Sequence, residues 1–187
     1  DIEHVRSQND KEDTEKIKGK PEDWMQDILE YFVGSADIDI AKEFIKGKVV
    51  TDGEKEINEI CKKLIEFSNE TNKEHKKNKF NTAFDLVQEY FKESEKPDNI
   101  DTICNLALLD AKTNRSYGNA FFPIKRKRII ENDRNGIFVP IATKNLFLKY
   151  YSKKLGEVMY WNREDAQNYF DAIKETLKDF LPKETKK

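Results

Sequence analysis

The chain is poor in the residues that carry most covalent and metal chemistry. It has two cysteines and two histidines in 187 residues. Cys61 and Cys104 lack metal-type spacing and sit on apolar faces, which excludes a disulfide framework and points to buried thiols in a reducing cytosol. Any imidazole chemistry must fall on His4 or His75. No apolar run approaches the ~18 residues of a membrane span, and there is no secretory leader pattern. The expected setting is therefore the cytoplasm, with no membrane partner. A Gly-x-x-x-x-Gly-Lys phosphate loop is absent, as are internal repeats.

What is present is charge and a fair supply of large apolar side chains. Charged residues make up 37% and hydrophobic residues 37% of the chain, and the formal net charge is -2. That suits one domain of ordinary size, or one with a large insertion, able to bury a core beneath a charged surface. The near-neutral total hides a segregation. Lys125, Arg126, Lys127 and Arg128 are consecutive, whereas the acids are scattered through the first hundred positions. A slightly acidic protein with such a basic run retains a nucleic-acid partner as an option.

Residues 1–9 read as a short extended piece entering a polar loop, and 10–20 as a charged connection without apolar period. Pro21, Glu22 and Asp23 start a helix that carries Trp24, Ile28, Tyr31 and Phe32 on one face and stops at Gly34. A short helix over Ile40 to Ile45 follows. Thr51 or Asp52 caps a third, with Ile57, Ile60, Cys61, Leu64 and Ile65 as its buried stripe. Phe80, Ala83, Phe84, Val87, Tyr90 and Phe91 form another stripe, closed by Pro97. These stripes are the spacing of core rather than of a cofactor box. A short strand is expected within Ile100 to Leu109, then a turn-rich loop and a basic helix beginning near Phe121, with Asn119 as its cap and Gly136 as its end. Phe138 to Ala142 reads as a short strand, Thr143 as the cap of a helix through Tyr151, and Asn162 as the cap of a last helix packing Ala166, Tyr169, Phe170, Ile173 and Leu177 inward. His75, among lysines at a helix end, reads as exposed.

Two separated pieces carry the chemistry: Glu3-His4-Val5 at the start, and Asn105 to Ile130. The second holds Asn105-Leu106-Ala107-Leu108-Leu109, Thr113-Asn114-Arg115-Ser116, Asn119 and Phe122-Pro123-Ile124-Lys125-Arg126. Their order resembles the HNH nuclease motif, the ββα-metal or His-Me finger, and more closely the C-terminal nuclease domain of GmrSD-type restriction endonucleases. The likeness is strongest over this stretch and extends through Phe138-Val139-Pro140 and Phe147-Leu148-Lys149-Tyr150-Tyr151. An ordered set of separated residue types is more specific than one short motif.

The resemblance implies an α+β, predominantly helical fold: a ββα-metal core from residues 1–9 and 100–135, a helical insertion lobe over 21–95 between the His strand and the Asn strand, and a C-terminal helical part over 138–181. It also implies a piece of a longer protein, with an upstream nucleotide-binding domain or subunit as partner. The activity implied is metal-dependent hydrolysis of DNA phosphodiesters, in restriction or defence against phage.

In that chemistry a histidine titrating near neutrality takes a proton from water, a role that falls to His4. Asn114 and Glu3 would hold a divalent cation, magnesium or in its place manganese, with Asp1 as the other candidate carboxylate. Asn105 would hold the loop bearing the histidine. Arg115 and the run Lys125, Arg126, Lys127 and Arg128 would contact DNA phosphates. Since four consecutive helical positions fan over most of the circumference, not all of that run can face one way. Taken singly, a terminal histidine is usually a surface residue, loop asparagines usually make turns, and a basic run is usually a solvated face; their joint order favours the nuclease. Two other classes remain: a DNA-binding or regulatory module that keeps the fold without catalysis, and a helical protein-interaction domain built on the amphipathic stripes.

Overall fold

The computed structural model describes residues 1–6, 20–46, 51–92, 101–110, 120–153 and 158–180. Among these the fold is α+β and mostly helical, with one two-stranded antiparallel sheet.

Helix α1, Pro21–Val33, begins where the missing N–H of proline costs nothing and has Glu22 and Asp23 in its first turn. Gly34 ends it at φ 82°, donating its N–H to Glu30 O at 3.1 Å. This left-handed conformation is one glycine adopts without steric cost. Helix α2, Ile38–Lys46, starts two residues earlier than expected, because Asp37 Oδ1 accepts the Asp39 N–H at 2.7 Å. Helix α3, Asp52–Ser68, is opened by Thr51, whose N–H and hydroxyl both reach Glu54 Oε2. Helix α4, Lys73–Tyr90, is capped by Asn72, which accepts from the N–H groups of Glu74 and His75. His75 is exposed in its first turn.

The stripes of α1, α3 and α4 meet as one core of Trp24, Ile28, Leu64, Phe67, Phe80, Phe84 and their neighbours. Trp24 lies 5.2 Å edge-on from Phe80 and 5.4 Å from Phe84 between ring centroids.

Strand β1, Ile2–His4, pairs with β2, Leu106–Leu108, in the register Ile2 to Leu108, Glu3 to Ala107 and His4 to Leu106. The strand expected over Ile100 to Leu109 is thus shorter. Its first part is a 3-10 turn, Ile103–Asn105, closed by the Asn105 N–H on Thr102 O at 2.8 Å.

Helix α5, Phe122–Arg134, enters from Phe121 with Pro123 in its first turn and no side-chain cap from Phe121. Asn119, the expected cap, lies outside the described residues. Gly136 follows the helix at φ 71°. The strand expected at Phe138 to Ala142 does not form. Residues 138–140 are irregular, and helix α6, Ile141–Phe147, opens at Pro140, whose carbonyl accepts the Lys144 N–H at 2.9 Å. Thr143 is therefore inside α6 rather than capping it, and its hydroxyl donates to Leu108 O at 2.6 Å, tying α6 to β2.

Helix α7, Arg163–Leu177, is capped as expected: Asn162 Oδ1 accepts the Asp165 N–H and Asp165 Oδ2 accepts the Asn162 N–H. Tyr169 is buried and Ala166, Phe170 and Ile173 half-buried, but Leu177 is exposed, since nothing described covers that end of the helix. No helix among the described residues is long and apolar enough to cross a membrane.

Candidate functional site

The start of the chain and the segment 101–110 form the site by direct pairing. The ladder of β1 and β2 continues past His4, with the Val5 N–H donating to Asn105 O at 2.8 Å. The Asn105 side chain, only 4% exposed, then accepts the Arg6 N–H on Oδ1 at 2.9 Å and reaches Arg6 O with Nδ2 at 3.4 Å. Both ends of one amide thus hold the backbone that leaves His4. The amino group of Asp1 donates to Leu109 O at 2.8 Å and fixes the other end of β1.

Successive strand residues point to opposite faces, and Glu3 and His4 are successive. Glu3 faces inward, where its Oε1 meets Lys125 Nζ at 2.6 Å. Lys125 is 1% exposed and also donates to His4 O at 2.7 Å. His4 faces the other way, half-buried, with Nε2 3.0 Å from Asp101 Oδ1. The strand period alone could have separated the roles of these two neighbours, but Asp101 carried no sequence signal.

The basic run is spent largely within the protein. Lys125 is in the interior, Arg128 pairs with Asp27 of α1, and Lys127 lies near Glu30 and Glu131 at 3.8 and 3.9 Å while donating to Glu30 O. Burial raises the Asp27 carboxyl above its ordinary value, with Arg128 opposing the rise. Arg126 is half-buried with a buried Nε, and lies close enough to Tyr31 to oppose the burial that pushes that phenol up to about 12. Asn114 and Arg115 lie outside the described residues.

Among the described residues no three His, Cys, Asp or Glu side chains converge as a cation-holding group. With Glu3 already neutralised by Lys125, the described residues do not by themselves fit a divalent ion. Cys61 is buried, its thiol pushed up to about 11 by that burial, and Cys104 is half-buried with Sγ 2.8 Å from Thr102 Oγ1; both are free thiols.

A further feature was not anticipated from sequence. An apolar groove of about 730 Å³ runs over Ile2, Leu106 and Leu108 of the sheet and Tyr169, Ile173 and Leu177 of α7. It explains why Leu177, expected inside, is open to solvent. Against protein-family models, curated proteins and solved structures alike, comparison of the chain finds no match.

Proposed function

We propose that the chain is a metal-dependent DNA endonuclease domain of the HNH, His-Me finger type, similar to the nuclease domain of GmrSD-type restriction enzymes and acting in the cytoplasm against phage DNA. The observation that carries this reading is the double hydrogen bond from the Asn105 amide to Arg6, which fixes the chain leaving His4. That is the loop-holding role the first asparagine of the motif would have. In support, Lys125 of helix α5 reaches Glu3 and the His4 carbonyl of β1, and Ala107 of β2 shares a core with Phe122 and Ile129 of α5.

In this reading His4 accepts the proton of the attacking water, and the frame keeps its imidazole in place for an in-line displacement. A bound divalent cation, magnesium or manganese, would supply Lewis acidity to the phosphoryl and leaving oxygens. Asn114 remains the amide proposed to hold it. DNA and an upstream nucleotide-binding domain are the partners the reading calls for. Arg115, Arg126, Lys127 and Arg128 remain candidates for phosphate contact; Lys125 is committed to Glu3.

A second reading, a DNA-binding or regulatory module of the same fold without catalysis, draws on two observations: the Glu3 carboxylate is neutralised by Lys125, and Lys127 and Arg128 are paired with α1. Nicking of supercoiled plasmid separates the two. The nuclease reading expects nicking in magnesium that is abolished by chelator and by His4→Ala, with the thermal unfolding of the variant unchanged. DNA binding without nicking would move the assignment to the second reading.

A further inference from the structure

The turn at 101–105 touches both the backbone and the side chain of the His4 region. Asn105, at its end, holds Arg6 and accepts the ladder from Val5; Asp101, at its start, meets the His4 ring at Nε2. The turn is itself closed by the Asn105 N–H on Thr102 O, and Thr102 Oγ1 lies 2.8 Å from Cys104 Sγ. Asp101 directly precedes this closed turn, so the residue that meets the His4 ring and the residue that holds Arg6 lie at the two ends of one short segment. On the other face of the strand, Glu3 is 11% exposed at its side chain and its Oε1 is 2.6 Å from an interior ammonium. A carboxylate held there cannot turn to the face of the imidazole without leaving Lys125 buried and uncompensated.

We propose that Asp101, and not the adjacent Glu3, is the carboxylate that works with His4: a positioning residue that orients the imidazole through Nε2. The proposal deepens the nuclease reading and rests on it for its kinetic consequence, while the ring contact itself is independent of activity. A carboxylate on one ring nitrogen fixes the rotamer and tautomer of a histidine, and loss of such an orienting partner at related sites costs about 10–100-fold. Asp101 is largely exposed, at 77% of its side chain, so its replacement leaves the cores intact.

The test has two arms. In the first, proton NMR of the full chain follows through-space contacts between the His4 ring and Asp101 and Thr102. His75, the other imidazole, sits exposed in α4 and serves as the internal control. Asp101→Ala is expected to abolish these contacts and leave the His75 signals in place; a His4 ring that keeps its position in Asp101→Ala overturns the proposal. In the second, steady-state nicking is measured. Asp101→Asn is expected to lower kcat by roughly tenfold with KM unchanged, and Asp101→Glu to recover most of it. An unchanged kcat in Asp101→Asn also overturns it. A wild-type chain that does not nick removes the nuclease reading, and the ring contacts then decide on Asp101 alone.

Discussion

Phe121 and Phe122 are neighbours in the chain and belong to different cores. On the Phe121 side, helices α1, α3 and α4 close over rings and aliphatic side chains, with Phe84 at 5.4 Å and Phe91 at 5.7 Å from Phe121. On the Phe122 side, Phe147 stacks at 5.6 Å, but two interior ion pairs lie alongside the apolar residues. Lys125 joins Glu3. Lys149 joins Asp165, which also accepts from the Ser152 hydroxyl and the Asn162 N–H. The helical half is held by area removed from water, which is non-directional. The half that carries His4 is held by charges and hydrogen bonds that fix particular atoms. A buried pair is weak evidence of stability yet costly to break singly. That combination suits a frame whose task is to hold a few atoms in register.

The two halves should accordingly fail differently. Asp165→Ala leaves Lys149 buried without its carboxylate and should cost about 3–5 kcal/mol in chemical denaturation. Lys125→Met should cost a similar amount, and the double variant Glu3→Leu with Lys125→Met should recover most of that loss, because no charge is then left uncompensated. Leu64→Ala, in the helical half, should cost about 2–5 kcal/mol as lost burial plus a cavity. If the double variant is as unstable as Lys125→Met alone, then packing rather than charge holds the His4 half, and the contrast drawn between the halves is wrong.

Smaller effects sharpen the same contrast. In the helical core the Cys61 thiol, pushed up to about 11 by burial, should be alkylated roughly tenfold or more slowly than the half-buried Cys104 at neutral pH, read by mass spectrometry of digests. Equal rates would mean that the helical half opens as readily as the site half. The smallest effect lies on the lobe surface, where the hydrogen bond from Lys79, followed by backbone N–H groups, holds the half-buried Glu70 carboxyl down to about 2. A depressed carboxylate contributes stability that is present above its ordinary value and is lost as pH falls toward the folded one. Carboxyl-carbon NMR should therefore place the Glu70 midpoint near 2, and Lys79→Ala should return it toward the ordinary glutamate range.

This division also explains how much was legible in the sequence. Periodicity sees apolar faces, so the stripes of α3 and α4, the stop at Gly34 and the cap at Asn162 could be read directly. It does not see long-range polar pairing. Threonine commonly caps helices, so the sequence alone suggests Thr143 as a cap, whereas its hydroxyl is used across the fold on Leu108. The run from Lys125 to Arg128 suggests phosphate contacts fanned around a helix, yet three of its four side chains meet carboxylates far away in sequence. The contacts of Asn105 with Arg6 and of Asp101 with His4 carry no signal in the local sequence. Neither has a local pattern, because each depends on where a strand from the other end of the chain comes to lie.

The most direct measurement is the anomalous difference map of crystals soaked in manganese. If the nuclease reading proposed above holds, a single strong peak is expected on the His4 face of β1, with Glu3 still paired with Lys125. A saturated crystal with no ion on that face, or with the ion seated on Glu3 and Lys125 displaced, would contradict it.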